Sequence, residues 1–268
     1  MNQRLRRVLL ILYALVLVVS GSYIAWKYCD YFTSQADYRA AQEAAGASLP
    51  PLDPSALPDV SAPPEASPPP DPVVEVMARV DLAALRETNP QVVGWISIPG
   101  TALSYPFLFS GDNQYYLNHT WSGQRSSAGA VFLEQACSPE LTDFNTILYG
   151  HRMNNDTMFG SLGFYDDLEF WRAHPSVYLT TDAGVYRYDI FAAAQVGVRD
   201  VTYALGVDDP ELRRQVIAFA LEHSAISTGV VPTEDDQLLT LSTCTGPGAS
   251  PHRWVVQARL AQTYPLAK

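Results

Sequence analysis

Hydropathy along the chain changes texture three times. From Val8 to Trp26 the sequence VLLILYALVLVVSGSYIAW carries no charge. At about 1.5 Å per residue such a run is long enough to cross a hydrocarbon layer as a helix. Residues 29–46 mix Ala, Gln and Tyr and admit a short membrane-proximal helix. Residues 49–72 then hold ten of the chain's 20 prolines. Proline lacks an amide donor and fixes φ, so this stretch excludes helix and sheet interiors and predicts an extended spacer that lifts the later part of the chain off the membrane.

Beyond Val73 the pattern becomes globular. Val76, Val80, Ala83 and Ala84 recur at helical spacing, and Pro90 ends that segment. Short β-branched or alternating runs come next: VVGWISIP (92–99), AVFLEQA, NTILYG, SVYLTT, VYRYDIFAAAQV, QLLTLSTC and HRWVVQARL, separated by turn residues such as Asp182-Ala183-Gly184. One later helix interrupts them. Asp209 is suited to cap it, Pro210 to open it and Glu211 to meet its dipole, while Leu212, Val216, Phe219 and Ala220 share a face. Many short strands with few helices predict a mainly β fold, a barrel or sandwich with peripheral helices. The divisions are a basic tail (1–7), an anchor (8–26), a membrane-proximal segment and linker (27–72), and a globular domain (73–268).

Charge refines this picture. Arg4, Arg6 and Arg7 precede the apolar run and only Lys27 follows closely, so the positive-inside rule puts the N-terminus in the cytoplasm and the domain outside. The run exceeds the apolar region of a cleaved signal peptide and no A-x-A site follows it, which favours a retained anchor. Trp26, Tyr28 and Tyr31 suit the outer interface. A net charge of −11 opposes nucleic-acid binding, which needs clustered Lys and Arg. No zinc spacing, P-loop or Rossmann glycine pattern occurs.

The three cysteines, 29, 137 and 244, cannot all pair, so a disulfide scaffold is not indicated. Cys244 ends the strand-like QLLTLST, and the Gly-Pro-Gly of residues 246–248 follows it. Nine positions on, Arg253 begins the next strand; if the two strands are neighbours, a guanidinium lies near a thiol, able to lower its pKa or hold a developing oxyanion. A cysteine nucleophile also needs a proton-handling partner. Of the five histidines, His151 follows NTILYG and opens a polar stretch, a strand mouth where catalytic groups tend to sit. His223 ends a helix, where its charge suits the dipole; His119 and His174 have no distinctive context. His252 adjoins Arg253, and neighbours on an extended segment point to opposite faces, so His252 is set aside. On these grounds alone a core thiol and a loop histidine remain open.

Three segments together resemble a known family. TLSTC with a downstream Arg-aromatic-Val-Val, ILYGHRMNNDTMFGSLGFY, and NPQVVGWISIPGTALSYPFLFSGDNQYYLNH followed by GAVFLEQ are similar, in order, to the motifs of sortases, cysteine transpeptidases of Gram-positive cell surfaces, and of class B in particular. The likeness runs from about Asn89 to Leu260. It implies an eight-stranded sortase-type β-barrel, with Cys244 as nucleophile, His151 as general acid/base and Arg253 as the oxyanion and substrate-orienting group. Asn113, Leu117, Ser242 and Thr243 are implied by position to line the substrate groove, and helix 209–223 to shape it. The implied reaction cleaves a C-terminal sorting signal of secreted proteins through a thioester and passes the acyl group to an amine of a cell-wall precursor or a pilin. It needs no metal, ATP or other cofactor. The loop TGPGASPH departs from relatives that carry acidic or aromatic residues there. Pilin polymerisation, a hydrolytic cysteine protease and a catalytically idle surface-binding domain are the competing readings. A lid of the polymerising class lacks support, since neither Asp53-Pro54 nor Asp71-Pro72 is followed by an aromatic residue.

Overall fold

Helix α1 runs unbroken from Gln3 to Ala44. The computed structural model describes residues 3–46, 71–244 and 251–266. The proline-rich spacer, save Asp71 and Pro72, and the Gly-Pro-Gly loop lie outside the described residues. Helix α1 is long and apolar enough to cross a membrane. Its exposure changes along its length: the large apolar side chains from Leu9 to Tyr28 are exposed, whereas Tyr38, Ala41 and Ala45 just beyond its end are buried in the main core. The membrane-proximal segment therefore continues the apolar helix and docks it directly on the domain.

The segment after the spacer forms two helices. Asp71 caps α2 (Pro72–Met77) by accepting from the Val73 amide, and Asp81 caps α3 (Leu82–Thr88) by accepting from the Ala84 amide. The second cap explains why the periodicity beginning at Val76 does not yield one continuous helix: a side chain competing for backbone amides restarts it.

Eight strands close a barrel in the order β1-β2-β3-β4-β7-β8-β6-β5. They are β1 (Val92–Ser97), β2 (Ser104–Leu108), β3 (Val131–Leu133), β4 (Asn145–Tyr149), β5 (Ser176–Thr181), β6 (Gly184–Gly197), β7 (Leu238–Cys244) and β8 (His252–Pro265). The pairs β2–β3 and β4–β7 are parallel and the others antiparallel. Strand β2 has no counterpart among the sequence-derived strands, because Pro106 reads as a breaker. It is tolerated since β1 alone flanks it; the pairing with β3 starts only at Phe107. Trp95, Phe107, Ile147, Leu179, Phe191, Leu241 and Val256 are fully buried in the core. Gly94 permits the closest approach in this wall: a Cβ there would lie 2.2 Å from the Thr180 carbonyl oxygen.

Helix α5 (Pro210–His223) starts as its sequence predicts, with Asp209 accepting from the Glu211 amide at 3.0 Å. Val216, Ile217 and Ala220 are buried on its inner face. A shorter α4 (Leu168–Ala173) precedes β5.

Candidate active site

Parallel pairing of β4 with β7 puts two chemically distinct strand ends side by side. Tyr149 pairs with Ser242, and the chain then continues to His151 on one strand and Cys244 on the other. On the far side β7 pairs antiparallel with β8, and Cys244 stands opposite Arg253. The sequence interval between thiol and guanidinium is thus closed by strand register. Arg253 is also paired through β6 with Val196, so β7 and β6 flank it on both sides.

A cleft of about 340 Å³ opens over these ends. It is lined by Asn113, Leu117, His151, Ser242, Thr243 and Arg253, all selected from sequence, together with Phe132, Glu134, Tyr149, Gly150, Val198, Tyr203 and Leu205. The volume lies within the range of small-ligand and peptide-side-chain pockets. Two of the selected residues have local roles that their motifs do not disclose. The Leu117 carbonyl lies 2.6 Å from His151 Nε2. A carbonyl only accepts, so Nε2 carries the proton in this contact. The Asn113 amide nitrogen donates to both Glu134 carboxylate oxygens at 2.7 Å, and its oxygen accepts from the Gln135 amide at 2.9 Å. Asn113 therefore lines the cleft with its polar atoms already engaged, as a brace for Glu134.

Glu134 is the principal residue that sequence reading missed. It is buried, and it also accepts from the Tyr149 hydroxyl at 2.9 Å. Burial and the adjacent carboxylate push the Tyr149 phenol far up, so it stays a donor. The available signal was a carboxylate inside the apolar run AVFLEQ. Tyr203, also missed, meets Ser242 hydroxyl to hydroxyl at 2.8 Å. Tyr203 and Leu205 lie between β6 and α5 in a segment without marked periodicity. This segment supplies the groove wall directly, while α5 contributes no lining residue and packs behind the wall, its inner face turned to the core.

The remaining candidates separate clearly. His223 Nδ1 meets the Phe219 carbonyl at 2.9 Å, and His174 Nδ1 the Pro99 carbonyl at 2.8 Å. His252 is exposed and does not line the cleft. Among the described residues no group of His, Cys, Asp and Glu is arranged to hold a metal. Cys29 is exposed and Cys137 buried. Burial pushes the Cys137 thiol up to about 12. Since the thiolate is the reactive form, Cys137 at pH 8 should resist iodoacetamide while Cys29 is labelled, Cys137 reacting only after unfolding. Peptide mapping by mass spectrometry checks this, and labelling of folded Cys137 at the rate of Cys29 would contradict it.

Residues 96–261 match the sortase domain family. The chain belongs to the sortase family. Sortase B of Listeria monocytogenes is 32% identical over 185 residues, 68% of this chain and 74% of that one. Sortase B of Staphylococcus aureus is 30% identical over 166 residues, 62% and 68% of the two chains. The crystal structure of Staphylococcus aureus sortase B covers 68% of this sortase and 87% of its own chain, with 28% identity and a TM-score of 0.64. Sortase B of Bacillus anthracis in complex with AAEK1 aligns with a TM-score of 0.69 at 27% identity, over 87% and 98% of the chains. The sortase described here is accordingly of class B, a cysteine transpeptidase with the eight-stranded barrel its motifs imply.

Proposed function

We propose that this sortase cleaves a C-terminal sorting signal of secreted proteins through a thioester on Cys244 and joins the acyl part to a cell-wall amine. The observation that carries this reading is the convergence of His151, Arg253 and the end of β7 on one cleft. His151 takes the Cys244 thiol proton as the sulfur attacks a backbone carbonyl carbon, and Arg253 meets the negative charge that develops on oxygen. The C–N bond breaks as His151 protonates the leaving amine. An incoming amine then attacks the thioester, His151 takes its proton, and the thiolate leaves. One peptide bond replaces another, so the exchange calls for no ATP, metal or other cofactor.

Leu117, Ser242 and Thr243 would bound the peptide, with Asn113 acting through Glu134. Staphylococcus aureus sortase B has been solved as a substrate complex, and a sortase B has been solved with triglycine; the corresponding cleft here would accept a sorting peptide and then an amine. The apolar first part of α1, preceded by Arg4, Arg6 and Arg7, supports a single-pass anchor with the N-terminus inside and the catalytic domain, residues 73–268 as read from sequence, outside.

The test is a quenched peptide library incubated with the full chain, with and without triglycine, and analysed by mass spectrometry. Transpeptidation predicts that triglycine accelerates turnover and appears joined to the cleaved peptide. Cleavage to free acid at an unchanged rate would mark a hydrolytic protease. No cleavage of any peptide would favour the idle binding domain.

A further inference from the structure

His151 sits where two chain segments meet, and one stretch of α1 holds both. The first is the segment from Leu117 to Gly129. Its Leu117 carbonyl receives the His151 Nε2–H, and its Gly129 underlies the ring. Gly129 has a φ of +58°, and a Cβ there would come 2.8 Å from His151 Cδ2 and 2.6 Å from the Tyr116 carbonyl oxygen. The imidazole therefore rests on bare backbone. Helix α1 fixes that backbone from beneath: the Tyr38 hydroxyl, on a buried side chain, donates to the Gly129 carbonyl at 2.5 Å. The Trp121 indole donates to the Asp37 carbonyl at 2.9 Å, the Ser122 hydroxyl to the Asp37 carboxylate at 2.9 Å, and the Ser127 amide to Asp30 at 3.1 Å.

The second segment is the loop that begins at His151. Asp156 and Met158 adopt φ of +61° and +54°, left-handed conformations that non-glycine residues keep only where surrounding contacts impose them. Those contacts lead back to α1. Asn155 donates to the Tyr31 hydroxyl at 2.8 Å, and the Met158 amide to the Tyr105 hydroxyl at 3.2 Å. The Tyr105 ring packs edge-on against Tyr38, centroids 5.2 Å apart.

We propose that the stretch of α1 from Asp30 to Tyr38 is a positioning element of the catalytic machinery, in which Tyr38, through the Gly129 carbonyl, holds the seat on which His151 lies. The anchor helix is then more than a tether, and a barrel expressed without it would fold around a poorly held imidazole. This inference rests on His151 as the general acid/base. Stabilisation by packing alone would lower the melting temperature without changing turnover by the folded enzyme; positioning changes turnover in a folded enzyme.

The experiment uses the full chain in lipid nanodiscs, a peptide taken from the library and triglycine as the amine. Tyr38→Phe keeps the ring packing and removes one hydrogen bond. We expect kcat to fall about tenfold with KM within about twofold. The His151 imidazole nitrogen signals should move from the Nε2–H form toward a tautomer mixture, with the melting temperature nearly unchanged. Tyr31→Phe, at a half-buried site, should lower kcat about threefold by loosening the 151–158 loop, and it decides the matter should Tyr38→Phe fail to fold. Wild-type kcat and unchanged imidazole signals in the folded variants would overturn the proposal. His151→Ala separates the two levels. If it retains turnover, the assignment of His151 falls. If it is inactive while Tyr38→Phe keeps wild-type kcat, the positioning role alone falls.

Discussion

Cys244→Ala in the full chain is expected to reduce both peptide cleavage and amine transfer at least about a thousandfold, to the background left by binding alone. The size follows from covalent catalysis: without sulfur no thioester forms, and neither His151 nor Arg253 supplies a replacement nucleophile. The fold should tolerate the change. Position 244 ends β7, whose ladder is made by backbone pairing to β4 and β8, and alanine preserves that backbone. The measurement is paired: library-peptide turnover beside a melting curve, with intact-protein mass spectrometry to detect the acyl adduct. Wild-type protein incubated with peptide and no amine should carry the adduct and lose it to hydroxylamine, and the variant should never acquire it. Turnover by a folded Cys244→Ala protein within tenfold of wild type would remove the cysteine mechanism.

Arg253→Lys is the second large effect, about a hundredfold loss in kcat with charge conserved. Arg253 is held between β6 and β7, and one guanidinium nitrogen donates to the His252 carbonyl at 3.0 Å. A guanidinium can satisfy that carbonyl and still direct other N–H groups into the cleft, because its five donors lie in a rigid plane. A lysine ammonium is a compact point charge on a flexible stem and cannot reproduce this fork. The loss should fall on kcat more than KM, since the oxyanion exists only along the reaction path. Wild-type kcat in Arg253→Lys would mean that charge alone matters and that the fork has no part in the transition state.

Legibility in the sequence varied with the range of the interaction. The β5–β8 segments were readable because their apolar runs are bounded by turn residues, and α5 because Asp209 and Pro210 form a local start signal. Strand β2 was not, because Pro106 breaks the local rule and is tolerated only through where β3 begins. The groove wall at Tyr203 and Leu205 was also hidden, since its position depends on α5 packing behind it rather than on its own composition. Among the site residues, Cys244, His151 and Arg253 stood out at strand ends with motif context. Glu134 passed as part of a strand, because nothing local shows that Asn113 and Tyr149 converge on it.

By itself, then, the sequence determined the apolar N-terminal segment, most of the strands, the Asp209 cap and the residues able to carry thiol and imidazole chemistry, all set by neighbours within a few positions. Only the tertiary structure decided that Cys244 pairs with Arg253 across one rung, that Asn113 braces Glu134, and that α1 continues past the apolar run to meet the Gly129 backbone beside His151. Each of these depends on strand register or on contacts between residues tens of positions apart, and backbone pairing and close packing are specified only when the whole barrel closes.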